Sequence, residues 1–550
     1  MAKRKRSLLL ANVALVVFSA VVSLLLLGLL EVGLRVADVG EDQRTSQLKY
    51  QQIHFPTLVP GTLADGTPVL RPADPRLRYQ SVLRDKPEGA LRVVTFGGSA
   101  TAGLGFSPNV TFSRELERAL RSAYPGWKIE VLNLGVVALA SKQVKLLVAE
   151  VARLHEADVM IVYSGNNEFL EVHAEKYAEA SATPLSMLGS LLMDLNLYRF
   201  VNGLIRGPQR GEALVEQEFS NEELQLTQDA IIQHVSMTQA EIAEVVDRYE
   251  ANIEEMVEVA ARSATPIVLV SVASNWAWRG RSDLPDGWLA ELVGEPATGE
   301  GQVLERAREI LDERIADSPA DERHEWLFKR ALVHERRGDL AAARADYRAA
   351  MNADPHLRRA LDAANERLQA VALRRGAGFV DSVAVLSSRA PGGIVGFGDF
   401  YDYVHFTPRG NVRMAAALFD ALEEMGVTEP MPGFDSEAHA QERLVALEAL
   451  DSDSLAVEDW MGFAFDPATI GGRDLWKYDK VLEELDERIA ADPEDVAARV
   501  YRGNGHYFRL GGGADAGRDY RAALRLDPEN PVIRANLERL ESEGREDGGG

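Results

Sequence analysis

The chain has 550 residues, 46% hydrophobic and 26% charged, an ordinary globular balance for a chain long enough to hold more than one core. Its net charge of −25 excludes nucleic acid as a partner, because a phosphate-binding face needs a basic block and the folded part shows none. With no cysteine, disulfides, thiolate metal sites and a cysteine nucleophile are excluded as well.

Lys3, Arg4, Lys5 and Arg6 lead into Ser7 to Leu30, a run without a charge and rich in Leu, Val and Ala. As a helix it would be about 36 Å long, enough to cross a hydrocarbon core of roughly 30 Å with some tilt. Positive charge stays on the cytoplasmic side. The expectation is therefore a cytoplasmic tail (1–6), a single transmembrane helix (7–30) in an inner membrane, and a periplasmic or otherwise extracytoplasmic body. A cleaved signal peptide is the alternative, but the run exceeds the usual core of about 7 to 15 residues and no clean A-x-A site ends it. Residues 31–89, with FPTLVPGTLADGTPVLRP and KPEG, read as a spacer followed by irregular or hairpin structure.

Strand candidates follow at Leu91–Phe96, Ile129–Leu134, Asp158–Ser164, Pro266–Val272 and Phe379–Val383. Helical patterns at Phe112–Ser122 and Ser141–Leu154 separate the first three. This alternation predicts an α/β fold, a parallel sheet with helices on both faces. Glycine-bearing corners, Gly98-Ser99, Gly135 and Gly165, end successive strands. Ligand sites of open α/β sheets lie at such carboxyl ends. The stretch LRVVTFGGSATAGLG, Leu91 to Gly105, leaves three readings: a phosphate loop, a bare turn, or a turn that exposes Ser99 as a nucleophile. Leu104 and Gly105 stand where a Walker loop needs Lys and Ser/Thr, which removes the first.

Two helical insertions interrupt the alternation. Asn221 to Ser263 carries Ile242, Val246, Tyr249, Ile253, Met256 and Ala260 at helical spacing, within an insertion placed at 171–265. In the second, placed at 300–372, Trp326 to Pro355 has the spacing of a tetratricopeptide repeat: Gly338 at the turn, Ala342 and Tyr347 on the second helix, Asp354-Pro355 at the end. Asp492-Pro493 and Asp527-Pro528, with Tyr507, Tyr520 and Ala523 between them, repeat the pattern in a C-terminal helical region (431–541), before a tail (542–550). Such repeats either bind a protein partner or buttress the body beside them.

The segment GDFYDYVHFTPRGN, Gly398 to Asn411, then changes the weight of Ser99. Asp402 and His405 are three apart, a spacing that puts both side chains on one side of a loop or turn. With these residues the chain resembles the SGNH/GDSL hydrolases, whose site is spread over short blocks in fixed order: FGGSATAG with Ser99, NLGVVA with Gly135, GNNE with Asn167, and D-x-x-H with Asp402 and His405. The resemblance spans roughly Leu91 to Leu422 and departs from the family twice: Gly98 stands where Asp is common, and Glu168 where Asp is frequent.

The resemblance implies a flavodoxin-like three-layer α/β domain (90–430) and a Ser-His-Asp triad of Ser99, His405 and Asp402. Its implied oxyanion donors are the backbone N–H groups of Ser99 and Gly135 and the side-chain amide of Asn167. No cofactor and no metal are implied. The substrate class it suggests is an acyl or acetyl ester on an envelope glycan or lipid, cleaved or transferred by a membrane-anchored enzyme. The alternative is an inactive hydrolase-fold scaffold that holds protein partners through its repeats.

Overall fold

The computed structural model describes most of 53–103 and 111–173, then 236–278, 288–356 and 359–449 with short gaps, and discontinuous parts of 485–540. It also describes parts of 18–34. In that apolar stretch the described residues, Phe18, Ser19, Val22, Ser23 and Leu25 to Leu34, are helical, and Leu25, Leu26 and Leu29 are exposed. The remainder of 7–30 lies outside the described residues, and among those described no helix is long and apolar enough to cross a membrane.

Within 31–89, read as spacer and irregular or hairpin structure, lie antiparallel strands β1 (Leu58–Thr62), β2 (Pro68–Pro72) and β3 (Val82–Leu83). The main sheet follows with β4 (Ala90–Gly97), β5 (Lys128–Gly135), β6 (Val159–Tyr163), β7 (Ile267–Val270) and β8 (Gly378–Val380). All its pairings are parallel, in the order β5-β4-β6-β7-β8. Counted within the sheet this is 2-1-3-4-5, the flavodoxin-like order, whose direction reverses beside the first strand. The predicted strands are thus all present, with β7 and β8 shorter at their ends than the apolar runs.

Strand side chains alternate between two cores, as the pleat requires. Val93, Ile161 and Val268 point to the face covered by α2 (Phe112–Ala123) and α11 (Pro408–Glu424). Val94, Val162 and Leu269 point to the other face, covered by α3 (Ser141–Leu154), α4 (Gln239–Arg262) and α9 (Asp362–Arg375). Apolar residues on both faces make β4 and β6 buried along their whole length.

Of the helix expected over 221–263, the described part begins at Gln239, where Thr238 and Glu241 form a capping box; 221–235 lies outside the described residues. Arg367, Arg374 and Arg375 of α9 reach Asp247, Glu250, Glu254 and Glu258 of α4 along the outer surface. Exposed pairs of this kind contribute little singly, so the apolar stripe beneath holds the two helices together.

The second insertion contains α6 (Glu300–Asp317), α7 (Arg323–Arg336) and α8 (Leu340–Ala353), and α5 (Trp288–Val293) precedes it. The chain reverses between α7 and α8 at Gly338, whose φ of 79° suits glycine. Its second helix is not a separate body: Tyr347, Ala350 and Met351 belong to the same core as β4, α2 and α11. The C-terminal helix α13 (Ala514–Leu526) repeats a constellation of this hairpin. Arg330 donates twice to Asp346 and once to Asp312, with His334 one turn on; Arg502 donates twice to Asp519 and once to Asp486, with His506 one turn on. Asp527, at the end of this second unit, pairs with buried Arg71 of β2, which ties the C-terminal helices to the hairpin.

The sheet's carboxyl edge is packed so closely that a side chain has no place in it. A Cβ on Gly135 would stand 2.6 Å from the carbonyl carbon of Thr101, in the short helix α1 (Ser99–Ala102). Gly135→Ala is therefore expected to cost about 1–3 kcal/mol by overpacking, read as a lower midpoint of thermal unfolding.

Candidate active site

Strand β4 ends at Gly97, and the chain turns at once into α1, with Ser99 at its first position. Thr101 holds this helix to the next strand by donating to Tyr163 O at 3.1 Å. Asn133 holds it from the other side: its Nδ2 donates to Thr101 O at 2.7 Å while its Oδ1 accepts from Gly135 N–H at 2.9 Å. Gln80 in turn pairs with both backbone groups of Asn133, which protects the edge strand there. Asn133 was not singled out in the sequence. Its signal was a polar residue two positions before the glycine corner that ends β5.

The structure gives Gly135 a steric role. Its N–H donates to Asn133 Oδ1, and its lack of a side chain lets α1 lie against it. The following turn holds Ala138 at φ 66°, a left-handed conformation uncommon outside glycine, and nothing in the local sequence announces it.

Asn167 sits at the carboxyl end of β6, and its Nδ2 donates to Leu139 O at 2.9 Å, which fixes the amide beside the Ser99 turn. The two departures from the family pattern find explanations here. A Cβ on residue 98 would stand 2.6 Å from Asn167 Nδ2 and 3.1 Å from Leu139 O, so glycine leaves the room that Asn167 occupies. Glu168 accepts from both the N–H and the hydroxyl of Ser141, at 2.8 and 2.7 Å, and so fastens the Asn167 turn to the start of α3. Carboxylates are favoured at that end of a helix.

Two tyrosines secure the loops after β6 and β7. Tyr249 donates to Ser164 O at 2.8 Å and Tyr163 to Ala273 O at 3.2 Å. Burial pushes both phenols well above their ordinary pKa, so they remain donors across the pH range of a folded protein.

His405 lies on a loop closed at its base by the Phe400 and Phe406 bridge. Thr407 N–H donates to Asp399 O, and the Thr407 side chain caps α11. Phe406 stacks on Phe400 and packs against Tyr163 and Phe112, giving the loop an apolar root. Asp399 is buried and paired with Arg413 at 2.7 Å; burial pushes its carboxyl upward and the guanidinium opposes that. The loop brings His405 Nε2 to 2.7 Å from Ser99 Oγ, across 306 positions of sequence, with both residues buried. Asp402 lies outside the described residues. Among those described, no cluster of His, Asp and Glu is suited to a metal ion.

No family model matches this chain, and no curated protein matches it. Solved structures do align with it. LAE5, an alpha/beta hydrolase from the metagenome of Lake Arreo in Spain, is 13% identical and aligns over 60% of this chain and 95% of its own, with a TM-score of 0.28. The acetylxylan esterase Axe2 of Geobacillus stearothermophilus is 13% identical over 64% and 98%, with a TM-score of 0.29. A GDSL-like lipase from Bacteroides thetaiotaomicron is 15% identical over 62% and 93%, with a TM-score of 0.27.

The packing at residue 98 makes a prediction that separates geometry from fold. Gly98→Ala is expected to leave the protein folded and to slow Ser99 chemistry about tenfold or more, since displacing Asn167 removes a positioned donor. Steady-state kinetics beside circular dichroism checks it; an unchanged turnover number would mean that Asn167 moves without consequence.

Proposed function

We propose that this chain is a serine hydrolase of acyl esters, with Ser99 as nucleophile, His405 as general base and Asp402 as the group that orients the imidazole. The observation that carries the reading is the 2.7 Å contact between Ser99 Oγ and His405 Nε2. A serine hydroxyl is a weak nucleophile and needs an adjacent base, and these two atoms are within transfer distance of one proton.

In the first step His405 Nε2 takes the hydroxyl proton as Ser99 Oγ bonds to the ester carbonyl carbon. The resulting oxyanion needs donors that do not have to reorganise. Ser99 N–H belongs to the first turn of α1, where an N–H has no partner within the helix. Asn167 has two N–H donors and gives one to Leu139 O, which leaves the other to be aimed by that bond. Collapse expels the alcohol, protonated by His405, and leaves an acyl-Ser99. Water, activated by the same His405, then releases the acid. A sugar hydroxyl in place of water would make the enzyme an acyltransferase by the same steps.

The setting we propose is a membrane-anchored protein with its catalytic domain outside the cytoplasm, acting on acyl or acetyl groups of envelope glycans or lipids. Four basic residues before an uncharged apolar run, a strongly acidic remainder and the absence of cysteine support it. The paired helices of 323–353 and their C-terminal counterpart are proposed as tetratricopeptide-like units.

Hydrolysis of p-nitrophenyl acetate by the full chain tests the chemistry. Wild type is expected to turn over, and Ser99→Ala to lose about a thousandfold or more without change in its circular dichroism. Equal rates for the two proteins would refute the assignment.

A further inference from the structure

We propose that Arg359, in the segment between α8 and α9 of the second helical insertion, is a positioning residue for His405 and acts through Trp278 and Tyr403. The proposal rests on the reading of His405 as the general base. It goes beyond that reading in making the insertion a working part of the site.

The contacts form a continuous series. Arg359 is buried, and its guanidinium donates to the backbone carbonyls of Asn275 and Trp278. The same guanidinium lies 5.8 Å from the centre of the Trp278 ring. Trp278 packs on Tyr403 with ring centres 4.9 Å apart. Tyr403 meets the His405 imidazole edge-on, at 5.9 Å and 78°. Asn275 N–H closes the arrangement by donating to Tyr403 O at 2.9 Å, so the loop after β7 is bonded to the loop that carries His405.

Arginine suits this place for a specific reason. Its planar fork serves two carbonyls and an aromatic ring at once, whereas a lysine ammonium is a compact point charge that cannot match that geometry. The segment holding Arg359 is itself fixed to the site: Ala360 N–H donates to Asn166 Oδ1, beside Asn167, and Asn365 accepts from and donates to the backbone of Val272. Upstream, Arg348 of α8 lies over the Trp276 ring and Met351 meets Ser274. A shift of the insertion is therefore felt in the 272–278 loop and, through the ring series, at His405. Misplacing a reacting group by about 1 Å costs up to about a hundredfold in rate.

The experiment compares the full-length wild type with Arg359→Ala, Arg359→Lys, Trp278→Leu and the double variant Arg359→Ala/Trp278→Leu. Trp278→Leu removes the ring while leaving the backbone carbonyls to Arg359, and so decides the case should Arg359→Ala not fold. Two readouts are taken: kcat and KM on p-nitrophenyl acetate, and the His405 ring-proton resonance in 13C-histidine-labelled protein, which senses the Tyr403 ring whether or not ester is turned over. Expected are a fall in kcat of about ten- to a hundredfold with KM unchanged, partial recovery in Arg359→Lys, and a double variant no worse than its worse parent. The His405 resonance should move in every variant that slows. An unmoved resonance in Arg359→Ala and Trp278→Leu overturns the positioning role, even if wild type hydrolyses the ester. A moved resonance in a protein that hydrolyses no ester leaves the positioning standing and refutes the function assigned to the site.

Discussion

Everything at the site depends on how closely α1 is packed. The four-residue helix that begins with Ser99 touches β5, β6 and the Asn167 turn at separations where no Cβ fits on Gly97, Gly98 or Gly135. Thr101 and Asn133 pin it by hydrogen bonds to Tyr163 and Thr101 backbone, so the Ser99 backbone is set by the sheet. His405 Nε2 then meets the Ser99 hydroxyl at 2.7 Å. The loop that carries His405 there is rooted in the Phe400 and Phe406 contact and capped onto α11 by Thr407.

Much of this was legible because it rests on local chemistry. Apolar β-branched runs specified the five parallel strands, and the resemblance carried by the blocks around Ser99, Asn167 and His405 implied that their loops would meet. What was not legible depends on partners distant in sequence. Gly135 reads as a donor in a motif, yet its N–H answers to Asn133 and its lack of a side chain answers to Thr101. Gly98 reads as a missing aspartate until Asn167 is seen in the space. Arg359 carries no signal at all, since its value comes from carbonyls 81 and 84 residues away.

The helical insertion likewise changes character once its packing is known. Its spacing leaves a partner-binding groove and a buttress for the adjoining body open, and α8 contributes Tyr347, Ala350 and Met351 to the core on one face of the sheet. The unit's Arg330, Asp346 and His334 recur as Arg502, Asp519 and His506 in the C-terminal helices, and the second copy is anchored elsewhere, by Asp527 on Arg71. One helical pattern thus serves in two places: one copy adjoins the core beneath α2 and α11 and the other adjoins the hairpin.

The proposed chemistry requires that Ser99 be a nucleophile activated by His405. Reaction of the full chain with a fluorophosphonate, followed by peptide mapping, tests this without knowledge of the substrate. The account predicts a single adduct on Ser99 that forms at least about a hundredfold more slowly in His405→Gln. An adduct elsewhere, or one on Ser99 formed as fast in His405→Gln as in wild type, would contradict it.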